Sequence, residues 1–201
     1  MYDKRSLLSM AAAVHKMSDP LAEVFGASGR RFVMHWGEMG WRWGVNRTVA
    51  QIHALLFLAG RPMHAEEMAE LLGVARSNVS NSLRELQNWN LVRVVHLVGD
   101  RRDHFETAQD PWELLRIIVR ERKAREFAPT LGVLRECVGD AQFSRLDAGA
   151  QKRVRETLAL MESLSAWTDE MLGLDTTTLA RLMQVGSRVR TLLRGAGKGR
   201  S

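Results

Sequence analysis

The stretch from Ala65 to Trp89 constrains this chain more than any other. Ala65 to Leu72 is a compact apolar-faced segment whose Met68, Leu71 and Leu72 point one way. Gly73 ends it, because glycine readily takes the left-handed conformation of a helix C-cap. A second amphipathic run follows almost at once, about Ala75 to Trp89. Its Val79, Leu83 and Leu86 fall at spacings of four and three, so they share one helical face and anchor a core. A short helix packed across a second one through a glycine turn is the expected result.

The opposite face of the second helix carries Arg76, Ser77, Asn78, Ser80, Asn81, Arg84, Gln87 and Asn88. Amides and hydroxyls flanked by arginine suit a helix lying in the DNA major groove. Asparagine pairs bidentately with adenine, serine reaches base edges, and arginine suits guanine or phosphate. The helix N-terminus also offers amides to phosphate. Two β-rich runs follow, Leu91–Val98 and His104–Thr107, joined by Gly99-Asp-Arg-Arg-Asp. Arg101 and Arg102 then stand at a hairpin tip, where a narrow minor groove attracts arginine. Asp100 or Asp103 can hold one of them through a paired carboxylate. The whole order is that of a winged helix-turn-helix. Taken alone, the face also fits an ordinary solvated helix, and the loop a surface hairpin with solvated salt bridges.

The flanks are helical. Ser18-Asp19-Pro20 is a capped start, and a helix is expected from Leu21 to about Met39 with Phe25, Phe32 and Trp36 among its buried positions. Gly37, Gly40 and Gly44 then break the pattern. Asn46 can cap a helix from Arg47 to Ala59, and Met63-His64 can form a short strand. Asp110-Pro111 opens a long helix from Trp112 to about Arg135, with two more expected near Asp147–Leu172 and Thr176–Leu193. The predicted fold class is mainly α with a small β-wing. Four regions are expected: an N-terminal arm and helix over 1–46 for dimerisation or effector binding, a DNA-binding winged domain over 47–110, a C-terminal helical dimerisation region over 111–194, and a disordered tail over 195–201.

Charge sharpens the DNA reading. The chain of 201 residues has a formal net charge of +6, which favours a polyanionic partner only weakly. Residues 47–107 hold seven arginines and seven carboxylates. The reading module is therefore neutral, and any DNA binding must come from placing charge on one face. No apolar run reaches the roughly 18 residues of a membrane span. The stretch Leu7–Val14 is too brief for a signal peptide, so a cytoplasmic home is expected, with no membrane partner.

The residues Glu67-Met-Ala-Glu-Leu-Leu-Gly-Val-Ala-Arg-Ser-Asn-Val-Ser-Asn-Ser-Leu-Arg-Glu-Leu, with Leu91-Val-Arg-Val and Gly99-Asp-Arg-Arg, resemble the MarR superfamily. The segment Met39-Gly-Trp-Arg-Trp-Gly-Val-Asn-Arg-Thr-Val-Ala-Gln-Ile-His-Ala-Leu-Leu, with Asp100-Arg-Arg-Asp-His-Phe-Glu-Thr, is similar to its GbsR-type branch. The resemblance covers about residues 20–135. It implies a homodimeric repressor on a palindromic operator in double-stranded DNA. The recognition helix would use Arg76, Ser77, Asn78, Ser80, Asn81 and Arg84, and the wing Arg101 and Arg102. Ala75 departs from the serine or threonine cap common in such proteins; the cap moves to Ser77, or the helix starts less firmly.

Choline-responsive members of that branch draw attention to Trp36, Trp41 and Trp43. Aromatic faces can cage a quaternary ammonium, so a small cationic effector is one reading, and packing of the junction between arm and winged domain is the other. The six histidines, at 15, 35, 53, 64, 96 and 104, are scattered and show no metal-ligand spacing. Cys137 has no second cysteine in the chain to resolve it. A buried or incidental thiol is expected there, with a metal- or redox-responsive regulator as the alternative. There is no nucleophile elbow and no phosphate-cradling glycine loop, so neither enzyme chemistry nor a cofactor is expected. The basic end, with Arg188, Arg190, Arg194, Lys198 and Arg200, reads either as a solvated tail or as a phosphate contact. A winged helix that binds protein rather than DNA is the remaining alternative.

Overall fold

A computed structural model describes residues 19–185. The arm before Asp19 and the basic end from Arg188 lie outside them. The chain divides into two compact units, residues 1–117 and 118–201.

In the first unit, helix α1 spans Pro20–Arg42. Asp19 caps it, accepting from the Ala22 amide at 3.0 Å. Two expectations fail here. The helix bends at Gly26, whose φ of +69° lies outside the helical region. It also continues through Gly37 and Gly40 rather than breaking at them. These two glycines permit a close crossing by α2, Arg47–Ala59. A Cβ on Gly40 would lie 2.4 Å from the Ala50 Cβ, and one on Gly37 would lie 2.5 Å from the Gln51 Cγ. The buried line of α1 is therefore Leu21, Gly29, Val33 and Gly37. Phe25 and Phe32 are half-buried, and Trp36 is exposed.

Strand β1, Met63–His64, leads into α3, Ala65–Leu72. Gly73 ends α3 with a φ of +63°. Helix α4, Arg76–Asn88, follows. Strand β2, Arg93–His96, is shorter than the run Leu91–Val98 that contains it, and β3, Asp103–Glu106, starts one residue before the run expected at His104–Thr107. The antiparallel sheet has the order β1-β3-β2. One core joins these pieces: Leu21 and Val33 of α1, Ile52, Leu55 and Leu56 of α2, Met63, Met68 of α3, and Val79, Leu83 and Leu86 of α4. Burying the apolar side of α4 so completely fixes which side faces out.

Helix α5 spans Pro111–Arg122. The single long helix expected from Trp112 is interrupted beyond it. Lys123–Phe127 widens into a π turn, and α6 runs Ala128–Gly139. Pro129 near the start of α6 has no N–H for the regular ladder, which removes a rung at this point. A 3₁₀ turn, Ala141–Arg145, precedes α7, Ala148–Gly173, capped by Asp147 through the Ala150 amide at 2.9 Å. Residues 176–185 are helical again.

In the second unit, Arg135 Nε meets Glu162 Oε1 at 2.9 Å, and Lys123 donates to the Ser165 carbonyl at 3.0 Å and pairs with Asp169. Burial is sparse. Leu131, Phe143 and Leu179 are buried, whereas α7 has no buried residue. Cys137 is exposed, so of the expected buried or incidental thiol the buried form is not what the structure has.

Candidate nucleic-acid interface

The outward side of α4 is the one the 3–4 spacing implies. Arg76, Ser77, Asn78, Ser80, Asn81, Arg84, Gln87 and Asn88 are all exposed. Ser82, one turn from Asn78, is buried and belongs to the core. No side chain caps α4: Ala75 occupies the N-cap, and Ser77 does not replace it. Arg84 Nη1 lies 3.4 Å from Asn81 Oδ1, which ties two neighbours of the polar face together. Arg76 Nε lies 2.7 Å from Glu66 Oε1, so α3 orients the first residue of α4. The backbone, Arg76 and His64 together hold the Glu66 carboxyl below its ordinary value.

Between α4 and the root of the hairpin lies an open groove of about 320 Å³. Arg76, Ser80, Arg84, Gln87 and Arg102 line it, with Glu66 and Asp103 as its acids. Three arginines therefore share one concavity in a module that is neutral overall. Neither Glu66 nor Asp103 could be assigned to this groove from the sequence, because their approach depends on how α3 and the hairpin pack.

The hairpin is pinned at its base. Thr107 Oγ1 donates to the Leu91 carbonyl at 2.8 Å, and Arg93 Nε pairs with Glu106 Oε1 at 2.7 Å across β2 and β3. Its two arginines differ. Arg102 Nε lies 2.9 and 3.0 Å from the two oxygens of Asp100, and its backbone N–H donates to Asp100 Oδ1 at 3.0 Å. These side-chain and backbone hydrogen bonds from Arg102 hold the Asp100 carboxyl far below the usual carboxylate range. Of the two acids at the tip, Asp100 is the one that holds an arginine. Arg101 is exposed and has no side-chain partner among the described residues. Leu97 and Val98 also stand exposed at the tip, an apolar feature that the charge pattern had obscured.

Trp36 is 42% exposed, Trp41 67% and Trp43 65%, so none is buried within the chain. Trp36 makes a tilted ring contact with Phe32 at 5.4 Å. The arm with which they would seal a junction lies outside the described residues. Among the described residues, no group of three or more histidine, cysteine or acidic side chains is placed to hold a metal. No helix among them is long and apolar enough to cross a membrane.

Strand, helix, glycine turn, helix and hairpin, in this order and around one core, define the winged helix-turn-helix class. Within that class, the MarR family model matches residues 43–103 of this chain. The chain is 26% identical over 95 residues to YvaV of Bacillus subtilis (strain 168), whose name assigns it to the HTH-type transcriptional regulators. It is also 26% identical over 70 residues to the HTH-type transcriptional repressor OpcR of the same organism. These matches take in 47% and 35% of this chain, and 53% and 38% of the two relatives. The chain thus spans about half the length, or less, of the curated relatives it matches. The crystal structure of a transcriptional regulator shares the fold with a TM-score of 0.59 at 21% identity, over 73% of this chain and 96% of that one.

Proposed function

We propose that this chain is a sequence-specific DNA-binding transcriptional regulator. In this reading it is a cytoplasmic homodimeric repressor of the MarR type, in its GbsR-like branch, bound to a palindromic operator. The observation that carries the reading is the exposed polar side of α4 beside a groove shared by Arg76, Arg84 and Arg102. Ser77, Asn78, Ser80 and Asn81 would meet base edges, and the uncapped first turn of α4 would meet phosphate. Arg101, without a side-chain partner among the described residues, would enter the minor groove. Two-fold symmetry would set two recognition helices about 34 Å apart, and the bound dimer would occlude a promoter. A small effector, with a quaternary ammonium at Trp36, Trp41 and Trp43 as the candidate, would favour a dimer whose helix spacing no longer fits.

The test is binding to duplexes selected from a random pool, followed by fluorescence anisotropy across a salt series. Affinity should fall steeply with salt, as phosphate contacts release counterions. Asn81→Ala should cost about 1–3 kcal/mol and relax the preference at one base pair, whereas Arg101→Ala should weaken all sequences and flatten the salt slope. Failure to enrich any duplex would overturn the DNA reading and leave a winged helix that binds protein. Adding choline to the complex tests the effector: the tryptophan reading requires a saturable fluorescence change together with release of DNA.

A further inference from the structure

His64 joins three parts of the candidate interface that are distant in sequence. It is the last residue of β1 and pairs with His104 of β3, the two rings meeting edge to face at 5.5 Å. It sits at the N-cap of α3, with its Nδ1 3.3 Å from the Glu67 amide and 3.3 Å from Glu66 Oε2. Its Nε2 lies 2.9 Å from Arg102 Nη1, at the root of the wing.

The proton inventory of these contacts cannot all be met by one neutral ring. A guanidinium only donates, so Nε2 must offer a lone pair to Arg102. The Glu67 amide also donates, and it approaches Nδ1. A neutral imidazole has a single lone pair. The bond from Arg102 is shorter and charge-assisted, whereas the bond from the amide is long and neutral, so the arginine wins. Nδ1 then carries the proton, which faces the Glu66 carboxylate.

We propose that His64 is the positioning residue of the wing arginine, and that it holds Arg102 only as the neutral Nδ1–H tautomer. Gain of a second proton sets an N–H and a positive charge against the guanidinium at Nε2. Arg102 must then leave His64, and the wing root loses one of the two groups that hold its arginine, Asp100 being the other. Around His64 stand Arg102 from the hairpin, His104 from β3, and from α3 Glu66 and the amide of Glu67, while Asp100 is held against Arg102 and His104. Behind the two glutamates stand Arg76, paired with Glu66, and Arg61, paired with Glu67. The wing setting is therefore acid-sensitive through a residue outside the DNA-contacting set.

This inference rests on the DNA reading for its consequence but not for its geometry, and two measurements separate them. Ring ¹⁵N spectra of the free protein should show His64 as the Nδ1–H tautomer at neutral pH. Arg102→Ala should return it to Nε2–H. An Nε2–H ring in the wild type would overturn the proposal whether or not the chain binds DNA. In the second measurement, affinity for a selected duplex is followed as the pH is lowered from neutral to mildly acid. The ratio of wild-type affinity to that of His64→Gln, a neutral side chain, should fall about three- to tenfold, the scale of one ordinary hydrogen bond. A constant ratio would overturn the positioning role. If no duplex binds either protein while the tautomer is as expected, the DNA reading fails and the latch stands.

Discussion

His53 lies within α2 with 5% of its surface exposed, and its Nε2 has no hydrogen-bond partner among the described residues. Burial alone pushes its pKa down from 6.5 to about 4. The unfolded chain therefore takes up this proton more readily than the folded one. The stability contributed by a neutral His53 is complete above about pH 6.5 and is lost as pH falls toward 4, on the order of 3 kcal/mol across that window. Urea titrations at neutral pH and at pH 4.5 should show this loss, and His53→Leu should reduce it. An equal acid sensitivity in that variant would assign the effect elsewhere. Histidines 53, 64 and 104 look alike in the sequence. Only the tertiary contacts distinguish a core imidazole at His53, a helix-capping node at His64 and a strand residue under the wing at His104, because the difference lies in what approaches each ring.

At the scale of elements, α4 was the most legible piece. Its core side and its outward side follow from the 3–4 spacing of Val79, Leu83 and Leu86, and the turn before it follows from Gly73. The glycines of α1 misled for a physical reason. Glycine weakens a helix but also removes the bulk that keeps two helices apart, and spacing alone does not say which use applies. Gly40 serves the second: a Cβ there would meet Ala50 at 2.4 Å. Gly40→Ala should consequently destabilise the first unit by about 1–3 kcal/mol, despite the better helix propensity of alanine. A thermal or urea melt that shows stabilisation would mean that the crossing of α1 and α2 is looser than described. The π turn was equally hidden, since Pro129 lies inside a pattern that otherwise reads as one continuous amphipathic helix.

At the scale of the molecule, the second unit leaves much apolar surface uncovered. Leu160, Leu164 and Trp167 follow one another at spacings of four and three on α7, and all are exposed, as is Val133 of α6. Leu158, Met161 and Leu172 of α7 are half-buried on another side. A stripe of this kind fits a second copy of the chain, as the proposed homodimer requires. Light scattering should give twice the chain mass for the wild type. Leu164→Asp combined with Trp167→Asp should give the single-chain mass with the helical circular dichroism retained. A dimer that survives this change would move the interface away from α7.

The sequence alone determined the order of elements, the side of α4 that faces out, and the pair of arginines at the hairpin. These are matters of period, turn chemistry and spacing, all of which are local. The tertiary structure decided which partner each charge meets: Glu66 for Arg76, Asp100 and His64 for Arg102, and none for Arg101 among the described residues. It also decided that Trp36 faces outward and that His53 is buried. The pairing of Arg102 with Asp100 is local and was one of two the loop allowed, whereas those with Glu66 and His64 depend on how separate segments pack, which a one-dimensional pattern does not contain.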